Sequence, residues 1–361
     1  MGLFHLSELS AALGRGGRPY LEFLRVPTLS VGRWSLLPAA GLAFAAACGG
    51  SAPSGPAPVP MPTAVPGHTV VGIVFYDENE DGQAQPDEPI RIPDVEVSVG
   101  GRSGRTEKAT GRVVITGVPD GQHAVAVRTD TLPPFYTVGA PLNVQSPQAV
   151  GTAVEVPLRL SIGRNRANLY MAFGDSITRQ AIAAQDAEYP RRLQDLLAAH
   201  FGGAEVTNQG RDGTDSYSGM ARITGNLQAQ RPAYTLLLYG TNDWNDPACQ
   251  DDPPCRTVEN LRSMLQAVKR EGSLPVVGTI PPVNPALTPA GRNDWIRAVN
   301  EALRPMAREE GALLVDVHAA FMRQAALPPL FADHVHPSDE GRQLLAETFF
   351  EAIAHGRSGV D

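Results

Sequence analysis

From about residue 165 onward the chain alternates short apolar runs with helical patterns, and this alternation limits the fold more than any other feature. The apolar runs have the length of buried strands and lie at residues 168–173, 204–207, 234–239, 274–280 and 312–317. The helical patterns lie between and after them, at Tyr189–Phe201, Tyr217–Gln230, Thr257–Glu271, Arg292–Glu310 and Ser338–Ala354. Strands that alternate with helices pair in parallel and are covered by helices on both faces. The sequence therefore predicts a three-layer, flavodoxin-like α/β domain with a parallel sheet over residues 165–355.

Polar clusters follow three of these strands and precede the last helix. They are Ser176 after the first strand, residues 208–214 after the second, residues 240–243 after the third, and residues 333–337 ahead of the last helix. Each cluster alone is typical of a turn, because Asn, Asp, Gly and Ser all favour turns. In parallel sheets, however, ligands bind at the carboxyl ends of the strands. Together the clusters supply a hydroxyl nucleophile, a base, an orienting acid and hydrogen-bond donors, which is the set that acyl transfer requires.

Residues 68–160 have a different pattern, in which short β-branched runs are separated by Gly, Pro and Asp turns. The runs are Val70–Tyr76, Val95–Val99, Arg112–Ile115 and His123–Val127. Short strands at this spacing, with no helical pattern between them, are typical of a β-sandwich. We therefore expect a small N-terminal all-β sandwich domain ahead of the α/β domain.

The loop between the first two of these runs matches the ligand pattern of a calcium loop. Side-chain oxygens stand at positions 1, 3 and 5, Gly82 at position 6 permits the sharp turn, position 7 offers a backbone carbonyl, and position 12 is a glutamate. The predicted ligands of a structural Ca²⁺ are Asp77, Asn79, Asp81, Gln83 and Glu88. The alternative is an acidic hairpin loop without metal, because no helical pattern of the EF-hand type flanks it.

Residues 1–48 have the pattern of a leader segment. The apolar stretch at residues 36–47 is too short to span a bilayer and ends in small residues. Cys48 follows directly, and this arrangement resembles the lipobox of bacterial lipoproteins, in which the Cys becomes the lipidated N-terminus, although Ala45 replaces the usual Leu. Residues 49–67 are Pro-rich and nearly uncharged, which predicts a stiff linker. We expect an exported protein that is anchored to the membrane of the cell envelope through Cys48, or secreted; an uncleaved apolar anchor is the alternative.

The charge balance argues against one class of partner. The net charge is −8 at pH 7, and no Lys/Arg-rich run stands out. Nucleic-acid-binding surfaces are basic, so we expect no nucleic-acid partner. The composition indicates a soluble, mildly acidic protein.

The remaining cysteines lie close together in the chain. With Cys48 assigned to the lipid anchor, Cys249 and Cys255 form an even pair. In an exported protein such a pair predicts a disulfide, which would rigidify the region after Asn242. Two free thiols or a weak metal site are the alternatives, because spacing alone does not establish bridging geometry.

Residues 165–355 resemble an SGNH hydrolase of the GDSL esterase/lipase family. The residues that carry the resemblance are, in chain order, Gly174-Asp175-Ser176, the glycines that follow Asn208, Gly240-Thr241-Asn242-Asp243, and Asp333 with His336 and Pro337. Ile177 departs from the family, which usually has Leu at this position. The resemblance covers just over half of the chain and implies an ester hydrolase.

The resemblance also implies a catalytic triad. Ser176 corresponds to the nucleophile, His336 to the base, and Asp333 to the acid that orients the base. Two other histidines compete for the role of base. His334 lacks the three-residue offset from Asp333, and His318 lies in a strand-to-helix segment where a structural role is more common.

An oxyanion hole is the second implication. The backbone N–H groups of Ser176 and Gly213 and the side-chain amide of Asn242 correspond to its donors, and Gly210 is the alternative glycine. Three neighbouring residues are expected to hold turns or shape the cleft: Asp175, Asp243 and Trp244.

The β region resembles the B-type repeat of serine-aspartate surface proteins and related prealbumin-like modules. The residues that carry this resemblance are Gly72–Asp77 with the calcium loop, Asp94–Val97, Thr110–Arg112 and Val118–Gly121. Those modules are calcium-stiffened spacers or adhesion units. The resemblance therefore implies a structural role and adds no catalytic group.

Two functions from different classes follow. The first is a serine-dependent carboxylic ester hydrolase at the cell surface, which needs no cofactor for catalysis and acts on a small-molecule, polysaccharide or lipid ester. The second is a catalytically silent surface-binding or adhesion lipoprotein. The presence of Ser176, His336, Asp333 and both non-serine oxyanion donors favours the first. The loop side chains that select the ester are not specified by the family pattern, so acyl length stays open.

Overall fold

The structure is a computed structural model that describes residues 67–180 and 188–357. These residues belong to one compact unit, Thr63–Asp361. The predicted leader, the Pro-rich linker up to residue 66 and the lipidation site Cys48 lie outside the described residues. Within the described ranges, no helix combines the length and the apolar character needed to cross a membrane.

The N-terminal part of the described chain contains strands and almost no helix. Its strands are β1 His68–Tyr76, β2 Glu96–Val99, β3 Arg102–Arg105, β4 Arg112–Val118, β5 Gly121–Val127, β6 Thr137–Val138, β7 Leu142–Ser146 and β8 Val154–Arg159. They form two four-stranded sheets, with the orders β4-β1-β8-β6 and β3-β2-β5-β7. In β4, Val113 and Ile115 are buried while Val114 between them is exposed, because successive side chains of a strand point to opposite faces. The two sheets agree in part with the predicted sandwich, whose overall arrangement stays a prediction.

The C-terminal part contains one five-stranded parallel sheet and its helices. The strands are β9 Arg166–Gly174, β10 Glu205–Asn208, β11 Pro232–Leu238, β12 Leu274–Gly278 and β13 Leu313–Val315. The helices are α1 Ser176–Arg179, α2 Tyr189–Phe201, α3 Ser216–Gln230, α4 Pro247–Gln250, α5 Thr257–Arg270, α6 Ala290–Glu309, α7 Val317–Met322 and α8 Asp339–His355. The strand order is β10-β9-β11-β12-β13, and every pair is parallel. This is the 2-1-3-4-5 order of flavodoxin-like sheets, so the predicted α/β domain with a parallel sheet is confirmed.

Alternation along the central strand explains why helices cover both faces of the sheet. Tyr170 and Ala172 of β9 belong to a core that includes buried side chains of α2 and α8. Met171 and Phe173, which point the other way, belong to a second core with α3 and α5. A strand that is apolar on both faces needs cover on both faces. The continuous apolar run at residues 169–173 therefore determines the three-layer arrangement.

The β region contacts the α/β region directly. The backbone N–H groups of Arg91 and Ala109 donate to the carbonyl oxygens of Phe201 and His200, each at 2.9 Å. Both acceptors lie at the C-terminal end of α2, where helix carbonyls lack partners within the helix. Buried side chains of the two regions also belong to one continuous core.

Candidate active site

Ser176 lies where β9 ends and α1 begins, at the carboxyl edge of the parallel sheet. The turn before it is tight: a Cβ on Gly174 would lie 2.0 Å from the Thr178 hydroxyl oxygen and 2.6 Å from the Leu238 carbonyl oxygen. Only glycine therefore fits. Asp175 caps α1, because its Oδ1 accepts the Ile177 N–H at 2.8 Å. The chain is thus held in a turn that leaves the Ser176 side chain at the strand end.

The structure brings His336 and Asp333 to Ser176. His336 Nε2 lies 3.0 Å from Ser176 Oγ, and His336 Nδ1 lies 2.7 Å from Asp333 Oδ2. The loop that carries both residues is closed by the Ala332 N–H, which donates to the His336 carbonyl oxygen at 2.8 Å. A nucleophile bonded to a base, with the base bonded to an acid, is the arrangement that activates a serine.

Asp333 is held in its ionised form. Its Oδ1 accepts the backbone N–H groups of Val335 at 2.8 Å and His336 at 2.7 Å. Burial favours the neutral acid, but hydrogen bonds from the His336 and Val335 backbone and from the His336 ring outweigh it and lower the pKa of Asp333 to about 2. Near neutral pH, a carboxylate therefore accepts the Nδ1 hydrogen and selects the tautomer whose Nε2 faces the hydroxyl.

The two competing histidines do not contact Ser176. The His334 side chain is 53% exposed, and its Nδ1 lies 3.8 Å from Asp333 Oδ1, beyond hydrogen-bond distance. His318 lies in α7, where its backbone N–H donates to the Thr279 hydroxyl at 2.9 Å. Burial lowers the pKa of His318. Geometry therefore separates three histidines that sequence reasoning could only rank.

The two candidate oxyanion glycines have different surroundings. The Gly210 N–H already donates to Asn208 Oδ1 at 2.9 Å. A Cβ on Gly210 would lie 2.2 Å from the Arg179 backbone nitrogen. Gly213 has a φ of +69°, has nothing within 4 Å of a Cβ position, and lines a pocket with Asn242. The Asn242 side chain donates to the Thr214 carbonyl oxygen at 3.0 Å, which leaves its second N–H for a ligand.

Arg222 is a supporting residue that sequence reasoning missed. Its guanidinium donates at 2.8 Å to the carbonyl oxygens of Gly174 and Gln209, and it lies 3.9 Å over the Phe173 ring. It therefore connects the loop after β9 to the loop after β10. Nothing in the sequence distinguishes Arg222 from a solvated arginine on the outer face of a helix, because its partners, the two carbonyl oxygens and the Tyr239 hydroxyl at 2.6 Å, are distant in the chain.

Asp243 connects the starts of two helices. Its Oδ1 accepts the Ser216 N–H at 2.8 Å, and its Oδ2 accepts the hydroxyls of Ser216 at 2.7 Å and Thr257 at 2.6 Å. Burial raises the pKa of Asp243. Burial also raises the pKa of Asp175 to about 7, and the negative charge of Asp243 adds to this rise. Both carboxylates bond to the protein itself and not to Ser176 or His336.

A disulfide joins Cys249 and Cys255. Both cysteines line the pocket that contains Gly213 and Asn242. The Trp295 indole N–H donates to the Cys249 carbonyl oxygen at 2.7 Å, which ties this loop to α6. The rim of the pocket is thus fixed both covalently and by a hydrogen bond.

The predicted calcium loop folds over its own side chains. Asp77 Oδ2 accepts the Gly82 N–H at 3.1 Å, Glu88 Oε1 accepts the Glu78 N–H at 2.8 Å, and Asp81 Oδ1 accepts the Gln83 N–H at 2.8 Å. Asp77 is buried, and its Oδ1 has no hydrogen-bond partner. A buried carboxylate oxygen without a partner fits a cation ligand. No three carboxylates of the loop lie within 4.8 Å of one another in the described chain, so the ligands would have to close around the ion.

Comparison with known proteins gives one family and one curated relative. Residues 172–344, just under half of the chain, match the GDSL-like Lipase/Acylhydrolase family. An acetylxylan esterase from Geobacillus stearothermophilus is 28% identical over 222 residues, which cover 54% of this chain and 96% of the relative.

Solved structures are similar over about half of the chain. The crystal structure of an acetylxylan esterase from Geobacillus stearothermophilus has 24% identity and a TM-score of 0.44, and the match covers 56% of this chain and 99% of that one. A member of the lipolytic protein G-D-S-L family from Veillonella parvula DSM 2008 has 21% identity and a TM-score of 0.43, with 51% of this chain and 96% of that one covered.

Proposed function

We propose that this protein, an ester-hydrolysing enzyme with a GDSL-like lipase/acylhydrolase domain, is a serine esterase with the triad Ser176, His336 and Asp333. The observation that carries the proposal is the continuous hydrogen-bonded chain from the serine oxygen to the carboxylate, at 3.0 Å and 2.7 Å. No other histidine in the described ranges bonds to Ser176.

The mechanism follows from these contacts. His336 Nε2 takes the Ser176 proton as the oxygen attacks the ester carbonyl, and Asp333 stabilises the imidazolium that forms. The Asn242 amide and the backbone N–H groups of Gly213 and Ser176 donate to the oxyanion, each worth roughly 10²–10³ in rate. The imidazolium then protonates the departing alkoxide to release the alcohol. Water, deprotonated by the same ring, attacks the acyl-enzyme and releases the acid.

The substrate that we propose is a short acyl ester on a carbohydrate. The pocket beside Gly213 and Asn242 has a volume of about 940 Å³ and is lined mainly by hydroxyl, amide and carboxylate side chains. Tyr217 on its wall is 63% exposed, and an exposed aromatic ring offers an apolar face against which a sugar could pack. A long acyl chain would need an apolar channel instead. The name of the acetylxylan esterase relative supports the same substrate class.

Replacement of the nucleophile tests the reaction. Ser176→Ala should lower kcat on p-nitrophenyl acetate by about 10⁴-fold or more, because no other group can form the acyl-enzyme. Ser218→Ala, which changes a serine of the pocket beside Gly213 and Asn242, serves as the matched control and should keep the rate. Undiminished turnover in Ser176→Ala would contradict the triad. Failure of the wild-type protein to hydrolyse any ester would favour the silent adhesion lipoprotein.

A substrate panel tests the ester class. We expect kcat/KM to be higher for acetylated xylo-oligosaccharides and p-nitrophenyl acetate than for p-nitrophenyl palmitate. Tyr217→Ala should lower kcat/KM on the oligosaccharide and leave p-nitrophenyl acetate unaffected. A preference for palmitate would overturn the carbohydrate assignment while leaving the esterase assignment intact.

For the β region we propose a calcium-stiffened spacer similar to the serine-aspartate repeat modules. Asp77, Asn79, Asp81, Gln83 and Glu88 would supply the oxygen ligands, and the buried, partnerless Asp77 Oδ1 supports this. Calorimetric titration with CaCl₂ should show one site that is lost in Asp77→Asn. It should persist in Asp87→Asn, which changes an exposed carboxylate of the same loop. Equal binding by the two variants would exclude this site.

For localisation we propose export and anchoring to the cell envelope through a lipid on Cys48, with residues 49–67 as the linker. The lipobox-like sequence supports this proposal. Membrane fractions should contain the protein, and Cys48→Ser should release it into the soluble fraction. An equal distribution of the two forms would contradict the anchor.

A further inference from the structure

Three side chains that are far apart in the sequence meet where the β region touches the ends of two helices. Asp94 lies just before β2, His200 is the next-to-last residue of α2, and His355 is the last residue of α8. One carboxylate oxygen and one nitrogen of each ring lie within 4.8 Å of one another, and among the described residues no other group of three His, Cys, Asp or Glu does so. The two imidazole rings are 5.2 Å apart between centroids and nearly perpendicular, at 84°.

His200 has no hydrogen-bond partner for either ring nitrogen. The residue is only 3% exposed, and Nδ1 and Nε2 are both buried. Its ring packs against the rings of Phe201 and Phe350, at 4.7 Å and 5.3 Å between centroids. Neither phenyl ring offers a conventional hydrogen-bond acceptor, and buried polar groups without partners are rare in folded proteins. The missing partner is therefore a water molecule or an ion.

We propose that Asp94, His200 and His355 bind one divalent transition-metal ion of the Zn²⁺ class. Two imidazole nitrogens and one carboxylate oxygen are a common protein donor set for zinc, with a fourth position left for water. A pocket of about 450 Å³ lined by Asp94 and His355 leads to the group from solvent. It provides both an entry path and room for that water.

The surroundings select against hard cations. Three basic side chains, Arg105, Lys108 and Arg357, line the same pocket as the two carboxylates Asp94 and Asp130, so the site has no excess of negative charge that would attract Ca²⁺ or Mg²⁺. Those ions also prefer oxygen donors. An ion here would be held by coordination to imidazole nitrogen, for which zinc, copper and nickel have high affinity. The proposed site is therefore distinct in chemistry from the calcium loop.

The ion would fasten the β region to the α/β region. Asp94 belongs to the β region, and both histidines belong to the α/β region. The Ala109 N–H already donates to the His200 carbonyl oxygen at this contact, so coordination would reinforce a contact that the backbone makes. The site is structural in this proposal and is independent of the proposed ester hydrolysis.

Titration with zinc tests the proposal on the full-length chain after EDTA treatment. Calorimetry with ZnCl₂ should show one zinc site in the wild-type protein. Loss of an outer-sphere partner lowers metal affinity by ~10–100-fold. His355→Gln and Asp94→Asn each remove a proposed ligand, so we expect both to lower the zinc affinity by more than that. His123→Gln, which changes a partly exposed histidine of β5 outside this group, is the matched control and should bind like wild type. Asp77→Asn should also bind like wild type, which separates this site from the calcium loop.

Two further measurements keep the outcome unambiguous. His355 and Asp94 are only partly buried, so their variants should fold, and circular dichroism and unchanged p-nitrophenyl acetate hydrolysis check this. Zinc should raise the Tm of wild type by several degrees but not that of the variants. Equal zinc affinity in wild type and His355→Gln, or no zinc binding by wild type, would overturn the proposal and leave water as the partner of His200.

Discussion

Asp333 shows how one side chain can set both the charge and the geometry of a site. One carboxylate oxygen accepts two backbone N–H groups, and the other faces His336 Nδ1 at 2.7 Å. The backbone bonds fix the carboxylate, and the carboxylate fixes the ring. Because these hydrogen bonds lower its pKa to about 2, Asp333 stays ionised at any pH where the serine could react.

Asp333→Asn should therefore lower kcat on p-nitrophenyl acetate by about 10⁴-fold, since an amide can stabilise the wrong histidine tautomer. His334→Gln, which changes the exposed neighbouring ring, is the control and should keep the rate within about twofold. Steady-state kinetics at pH 8 measure both. A larger loss in His334→Gln than in Asp333→Asn would mean that the base is assigned to the wrong ring.

Asp175 has the opposite electrostatic environment. Burial raises its pKa from 3.8 to about 7, and the nearby charge of Asp243 adds to this. Between these two pH values the folded state holds a proton that the unfolded state has lost, so the contribution of Asp175 to stability falls as pH rises. Linkage makes this change as large as about 4 kcal/mol.

Asp175→Asn should flatten the dependence of stability on pH between 4 and 7, because the amide stays neutral and its oxygen can still accept the Ile177 N–H. Urea denaturation at several pH values measures this, with Asp195→Asn, an exposed carboxylate on α2, as the control. Other groups titrate in the same range, so the informative quantity is the difference from wild type. An unchanged pH profile in Asp175→Asn would show that the group is ionised in the folded state.

At the scale of elements, the site depends on loops that side chains hold together. Arg222 extends from α3 to the loops after β9 and β10. Asp243, in the loop after β11, holds the starts of α3 and α5. The loops at neighbouring strand ends are thus joined to one another by side chains, in addition to their covalent connection to the strands. This fixes the position of Ser176 relative to the pocket that contains Gly213.

Arg222→Met should lower kcat by roughly 10- to 100-fold, because each lost hydrogen bond from a charged group is worth about 1.5–3 kcal/mol and the two loops become less rigid. The KM for p-nitrophenyl acetate should change less, since Arg222 is not expected to contact the ester. Arg270→Met, an exposed arginine at the end of α5, is the control. Equal rates in the two variants would show that the loops hold their positions without the guanidinium.

At the scale of the whole molecule, the β and α/β regions share a core. Phe135, between β5 and β6, packs its ring edge to face against Tyr234 of β11, with centroids 6.2 Å apart. Tyr234 in turn stacks on Tyr170 of β9 at 4.7 Å. The central strands of the catalytic sheet are therefore partly covered by the β region. Two regions with a common core unfold together if the shared contacts are strong enough.

Scanning calorimetry should accordingly show a single thermal unfolding transition that includes both regions, with equal calorimetric and van't Hoff enthalpies of unfolding. Phe135→Ala should lower the Tm of that single transition by several degrees, because it removes a large, partly buried ring. Val150→Ala, a fully exposed position of the same region, is the control. Two separate transitions, with only the first shifted by Phe135→Ala, would show that the regions unfold independently.

The sequence by itself determined the local elements of the α/β region. The strands and helices predicted from periodicity end within a few residues of those observed, for example α2 at Tyr189–Phe201. Apolar periodicity is a local property, because each element buries one face or both against whatever it meets. The order of the polar strand ends also indicated which residues could react, since parallel strands bring their carboxyl ends together.

Only the tertiary structure decided which distant residues meet. In the β region, β8 pairs in parallel with β1, yet its sequence, with Pro157 inside it, does not stand out as a strand. Likewise, nothing local connects Arg222 to two backbone carbonyls, or places Asp94 beside His200 and His355. Such contacts depend on how the whole chain closes on itself, and closure is determined by the sum of packing over all elements, not by any one segment.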